Sequence, residues 1–310
     1  MLPAPWNLRA VYLFLGLFGF FLGMQSVVFN VLVSKVIPME RRGILMGLRS
    51  TLSGITAAAV AVVGGLLVER VALGNGYAST FLAAFALTSL GLVALLFVRE
   101  PDSPHVRARE SVGSRLRQLP ALLRSDRNFT AYFMARALGT MGRMGFPYYW
   151  LFARTRVELT GADLGLLSAA YLLGQNLPTV LWGAIADRRG FRAVFVASLG
   201  LWIGATGGLL AAESSLALLI AFAALGAGQG GFMLSSQNLV LEFGSRENLP
   251  MRIAVANTAT EIVGAIAPLL GGVLATAFSY PTVLGVALGM QTLALIFTLG
   301  AVAEPRHRGR

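Results

Sequence analysis

Residues 182–195 read "WGAIADRRGFRAVF". One aspartate and three arginines are crowded between two long apolar runs, 162–186 and 191–212, in a chain that is 56% hydrophobic and 13% charged. With a mean hydropathy of +0.71, that crowding marks a loop between membrane spans rather than a turn in a soluble domain. About 20 apolar residues cross the hydrocarbon core. Working outward from the loop, nine runs meet that length: 9–35, 43–69, 78–98, 129–153, 162–186, 191–212, 215–242, 251–277 and 281–302. The polar segment 99–128 divides them into three and six, giving a partial first half (1–98), a central linker (99–128), a six-helix half (129–303) and a tail (304–310). The fold class is therefore all-α and polytopic, with about nine transmembrane helices.

The formal net charge is +11. In a soluble protein this would point to nucleic acid, but cytoplasmic loops of membrane proteins accumulate Arg and Lys, so a lipid bilayer and no nucleic acid is the expected partner. If the loop at 36–42 is cytoplasmic, its side of the membrane holds eighteen basic residues, from Lys35 to Arg310, against Arg9, Arg70, Arg154 and Arg156 opposite. The bias puts the N-terminus outside and the C-terminus in the cytoplasm. Cysteine is absent, and His105 and His307 lie in polar stretches, so no thiolate, metal site or cofactor is expected. No nucleophile or paired-carboxylate constellation accompanies Asp187, which argues against an enzyme. The start "MLPAPWNLRAVYLFLG" lacks a basic n-region and a small-residue cleavage site, so it does not read as a signal peptide. In 111–124, Val112, Leu116, Leu119 and Leu123 fall near helical spacing; the stretch is either an interfacial amphipathic helix or a charged topogenic linker.

The chain also repeats. A shift of 207 positions brings Gly19 onto Gly226, Gly23 onto Gly230, Glu40 onto Glu247, Thr51 onto Thr258, and Gly64 and Gly65 onto Gly271 and Gly272, without a gap. Helices one to three thus map onto seven to nine, while four to six have no counterpart upstream. The expectation is the last nine helices of a twelve-helix array.

"GAIADRRGFR", from Gly183 to Arg192, resembles the loop signature of the major facilitator superfamily of transporters, which that family places between the second and third helices of a half. Gly183, Asp187, Arg188, Gly190 and Arg192 occupy its positions, and the motif lies at the corresponding place in the six-helix half. "VIPMERRGILMGL", 36–48, is similar to the family's junction between helices four and five. The first half's copy of the signature has no counterpart in this chain. The resemblance implies a secondary active transporter of a small solute working by alternating access, of efflux or proton-coupled type, in a bacterial inner membrane. The alternative is a truncated, non-transporting remnant.

On this reading the loop is a conformational latch. Gly183 permits close helix approach, and Gly190 makes the turn. Asp187, badly placed for its own helix dipole, suits the start of the helix near Pro250 and Met251. Arg188, Arg189 and Arg192 hold the loop inside and pair with Asp187 or lipid phosphates. The plainer alternative is a basic topogenic loop with an incidental aspartate.

Ionisable residues inside membrane helices are costly and mark candidate sites. Arg136 and Arg143 lie seven apart on one helix face, and Glu261 lies in helix eight. Arg143 with Glu261 is the preferred pair for solute or proton coupling; a structural ion pair is the competing reading, and for Arg136 the structural reading is favoured. In "GTMGRMGFPYYW", Gly142, Gly145 and Pro147 can loosen the helix and Tyr148, Tyr149 and Trp150 can form an aromatic wall. The resemblance implicates helices one, four and seven as cavity lining, adding Gln25, Asn30 and Gln229 as candidates. Gln175, Asn176 and Asn257 join them, although for each amide an interhelical hydrogen bond is the favoured reading. The run "GAGQGG", 226–231, lacks the strand and Lys-Ser/Thr of a phosphate loop and reads as close helix packing.

Overall fold

The computed structural model describes residues 9–22, 24–25, 39–70, 76–95, 97, 126–243 and 249–303. Among the described residues there is no strand. The helices are α1 (Arg9–Leu22), α2 (Met39–Arg70), α3 (Gly76–Leu95), α4 (Arg127–Met141), α5 (Tyr148–Arg156), α6 (Gly161–Asn176), α7 (Thr179–Arg189), α8 (Phe191–Ala211), α9 (Ser215–Leu239), α10 (Leu249–Ala277) and α11 (Tyr280–Ala301). Every apolar run of the sequence contains at least one of them. Six helical segments among the described residues are long and apolar enough to cross a membrane, and α6 with α7 counts as one of these. The all-α, polytopic class stands. Asn30, the linker stretch 111–124 and the tail 304–310 lie outside the described residues.

Two apolar runs are broken, each at a proline. The run at 129–153 is interrupted by a 3-10 turn, Gly142–Gly145, before Pro147 starts α5. The run at 162–186 is interrupted where Asn176 ends α6 and Pro178 opens α7. Proline has no amide hydrogen and its ring collides with the preceding turn, so an α-helix restarts rather than continues. Four other helices start at side-chain caps. Asp126 accepts from the amides of Asn128 (3.1 Å) and Phe129 (3.0 Å) ahead of α4. Thr160 and Asp163 form a reciprocal capping box on α6, and Ser214 and Ser279 cap α9 and α11.

Compact units divide the chain into Met1–Arg49 with Ala84–Arg109, and Ser50–Ala83 with Glu110–Arg310. In the first, the side chains of α1 are largely exposed, among them Tyr12, Phe18 and Phe20, as they would be toward lipid. In the second, α9 packs on both α6 and α8, α11 on α4 and α8, and α10 on α4. Lipid tails are as apolar as leucine, so burial alone does not hold such helices together. Close van der Waals fit and buried polar ties do.

The glycines of 226–231 supply the fit. A Cβ at Gly226 would run into the carbonyl oxygen of Tyr171 and stand 2.8 Å from the Gln175 nitrogen, while one at Gly228 would stand 2.7 Å from the Trp202 nitrogen. One short run thus brings α9 against the backbones of α6 and α8. The duplicated glycine pairs act alike: Gly65 abuts the Gly161 carbonyl, with Gly165 Cα at 3.0 Å from a Cβ there, and Gly271 abuts Met144, whose carbonyl oxygen is at 2.9 Å. Between the close contacts sits an aromatic core of Phe129, Tyr132, Phe195, Trp202, Phe222 and Phe232, all at most 2% exposed.

Candidate functional site

The motif loop is built where α7 ends. Gly190 has φ 83° and ψ 161°, a conformation in effect reserved for glycine, and its amide donates to Ala186 O at 2.8 Å. The turn sends the chain directly into α8, which begins at Phe191. Asp187, Arg188 and Arg189 are exposed at the rim. Arg192 reaches across instead to the C-terminus of α11, donating from Nε to Val302 O (2.5 Å) and from Nη2 to Thr298 O (3.3 Å) and Leu299 O (3.4 Å). Thr298 O also accepts from the Val302 amide at 3.2 Å, while the other two lie where the helix runs out of donors, and a cation there meets the negative end of the dipole. The sequence offers Arg192 to Asp187 or to lipid; its hydrogen bonds tie the motif to α11.

Gly183 corrects an expectation. A Cβ built there meets nothing within 4 Å, and its neighbours Val180, Leu181 and Ala184 are exposed. Close approach in this region is made by α6 and α9, where Gly174 abuts the Ala223 backbone and Gly226 and Gly230 abut the backbones of Tyr171 and Gln175.

Against the start of α10 stands Asp126. Its Oδ2 accepts from Arg252 Nη1 at 2.5 Å, and the Arg252 guanidinium carbon lies 4.9 Å from the centre of the Phe129 ring. Burial raises the Asp126 carboxyl, but the hydrogen bond and charge of Arg252 and the amides of Phe129 and Asn128 outweigh it and hold the pKa below its ordinary value. Beside it, Asn128 pairs with Ala303 both ways, donating to its carbonyl (3.0 Å) and accepting from its amide (2.7 Å). Asp126, Asn128 and Arg192 thus gather α4, α8, α10 and α11 at one end of the second unit. Sequence reading passed over Asp126, although an aspartate two residues before an apolar run is an N-cap signal.

Further in, α4 and α10 run parallel and in register. Arg136 is 4% exposed; its Nη2 donates to Asn257 Oδ1 at 3.0 Å and its Nη1 to Tyr132 Oη at 3.4 Å. Tyr132 Oη in turn donates to Ser236 O. Two turns on, the Arg143 side chain lies beside Gly264, with Nη1 and Thr140 Cγ2 each 3.7 Å from a Cβ built there. Pro268 removes the amide hydrogen that would reach the Gly264 carbonyl, so α10 is weakened beside Arg143. Then come Tyr148 with Oη 3.5 Å from Pro268 O, and Gly271. Glu261 is exposed, one turn before Gly264 and one after Asn257. The structure brings Arg136, Arg143, Asn257 and Glu261 onto one seam, yet Arg143 and Glu261 form no ion pair with each other. Arg136 neither snorkels to the surface nor meets a carboxylate among the described residues.

The other candidates scatter. Gln229 is buried and accepts from Tyr171 Oη; Gln175 Nε2 lies 3.8 Å from Met233 Sδ; Asn176 donates to Leu172 O within its own helix, at a point where Gly54 of α2 comes within 2.6 Å of its Cβ by the same Cβ construction. Gln25 is exposed on the first unit. The aromatic triple also divides. Tyr149 is fully buried and accepts from Trp202 Nε1 at 3.1 Å, and Trp150 stacks edge-on among Phe146, Tyr171 and Phe222, so only Tyr148 follows the seam. Successive helical residues point about 100° apart, and three in a row cannot line one wall.

The all-α, multi-pass architecture agrees with what the chain is similar to. The hexuronate transporter of Bacillus subtilis (strain 168) is 24% identical over 148 residues, 48% of this chain and 35% of that protein. The MFS-type transporter opaD of Aspergillus ustus is 32% identical over 112 residues, 36% of this chain and 19% of that protein. In each case the match spans well under half of the relative's length. The sequence model of the Major Facilitator Superfamily matches residues 1–161 and again 148–310, which together cover the chain. This multi-pass membrane protein belongs to the Major Facilitator Superfamily.

Proposed function

We propose that the chain serves secondary transport of a small solute by alternating access in a bacterial inner membrane, with its C-terminus in the cytoplasm, and that Arg143 and Glu261 couple solute to protons. The observation that carries the reading is the α4–α10 seam, where, among the described residues, the Arg143 guanidinium and the Glu261 carboxyl on neighbouring helices form no ion pair with each other. Ionisable groups are expensive at such depth and are kept where a pathway needs them. A carboxyl held there can take a proton on one side of the membrane and give it up on the other. The weak point of α10 at Pro268 supplies a place where the seam can flex as access alternates. A relative named as a hexuronate transporter, hexuronate being a sugar acid, fits a site with arginine in it.

The test is uptake by proteoliposomes under an imposed pH gradient. Glu261→Gln is expected to abolish gradient-driven accumulation while leaving solute exchange and folded protein in place. Accumulation at the wild-type level would remove Glu261 from coupling.

A further inference from the structure

Arg136 is the most enclosed cation among the described residues. At 4% exposed, it holds its Nη groups on two neutral oxygens, and its Nε has no hydrogen-bond partner. A buried guanidinium is ordinarily matched by a carboxylate, because neutral acceptors compensate neither its charge nor its five donors. No such match occurs among the described residues. The one acidic side chain on the facing stretch of α10 is Glu261, and the seam carries two arginines. One of the two acceptors is also reachable from outside: Asn257 is exposed while the arginine behind it is buried.

We propose that Arg136 is a second solute-binding residue and that the solute carries a carboxylate, which displaces the Asn257 amide from the guanidinium. An amide oxygen and a carboxylate oxygen accept from the same Nη group with the same geometry, so the exchange requires only that Asn257 turn away. The carboxylate brings the missing charge, and guanidinium and carboxylate match as a two-point fork. Asn257 therefore occupies the solute's place while the site is empty. Tyr132, itself tied to Ser236 O, keeps the guanidinium oriented from the buried side. This rests on the transport reading above and adds to it the solute class and the residue that reads it.

The experiment uses the full chain in detergent micelles and follows its melting temperature. Asn257→Asp places a carboxylate on Arg136 permanently, and is expected to raise the melting temperature of the empty protein by about 2–4 °C and to abolish uptake. Three acid and amide pairs of equal shape serve as probes: lactate and lactamide, benzoate and benzamide, glucuronate and glucuronamide. At least one acid is expected to stabilise the wild-type chain where its amide does not, and to lose that effect in Asn257→Asp and in Arg136→Gln. Arg136→Lys covers the case in which the Gln variant does not fold; it should keep a weakened response to the acid. A melting temperature unchanged or lowered by Asn257→Asp overturns the role of Arg136. Amides that stabilise as well as acids, or acids that never exceed them, overturn the solute class. Glu261→Gln with coupling intact would sink the transport coupling and leave these results standing, so the two failures are distinct.

Discussion

Arg192 and Asp126 show how single side chains hold the ends of helices whose middles are held by shape. Arg192 closes three carbonyls at the end of α11; replacing it with glutamine is expected to cost about 1–2 kcal/mol, read as a lower melting temperature. Arg188, exposed one turn earlier, should tolerate the same change within about 0.5 kcal/mol. If the two variants melt alike, the cap on α11 contributes nothing. Asp126 both caps α4 and pairs with Arg252, so Asp126→Asn should destabilise by about 1 kcal/mol or more at neutral pH. Its folded pKa is depressed, so this stabilisation is present above the ordinary value of 3.8 and is lost as pH falls through the folded value. Melting curves of both proteins should therefore converge once the pH has fallen below the folded value, and a difference that persists there would mean the pair is not the cause.

At the scale of helices, α9 is the clearest case of an element set by its small residues. Gly226→Ala directs a methyl at the carbonyl oxygen of Tyr171, which is backbone and cannot turn aside. Separating α6 from α9 should cost about 1–3 kcal/mol. Gly208→Ala in α8 meets nothing within 4 Å and should be neutral or slightly stabilising, since alanine is the better helix former. Yields of folded, detergent-extracted protein and melting temperatures decide between them; equal loss in both would show that helix flexibility rather than fit is at issue. The loosening at Pro147 was readable from the sequence, whereas the run at 162–186 read as one span and its break at Pro178 came only with the structure. The seam between α4 and α10 was not, since it depends on which helices lie side by side.

For the molecule as a whole, the arginine bias makes a topological statement that the absence of cysteine makes easy to test. Arg189 and Glu213 are exposed at opposite ends of α8, whose 21 residues are enough to cross the bilayer. Arg189→Cys is expected to react with a membrane-impermeant maleimide only after the cells are opened, and Glu213→Cys in intact cells. The reverse pattern would turn the orientation over.

The sequence by itself determined that this is an all-α membrane protein with a repeated helical pattern and a signature loop, because spans, repeat and motif are properties of composition and spacing along the chain. It also singled out Arg136, Arg143 and Glu261, since a charge within an apolar run is conspicuous whatever surrounds it. Their relations were decided only by the tertiary structure. Packing turned Arg192 toward α11, left Gly183 open, sent Tyr149 and Gln229 into the interior, and enclosed Arg136 behind Asn257. The physical reason is that a helix has several faces, and linear spacing says which residues share one but not which neighbour that face meets. Whether a polar side chain ends as a tie between helices or as an open donor depends on that neighbour.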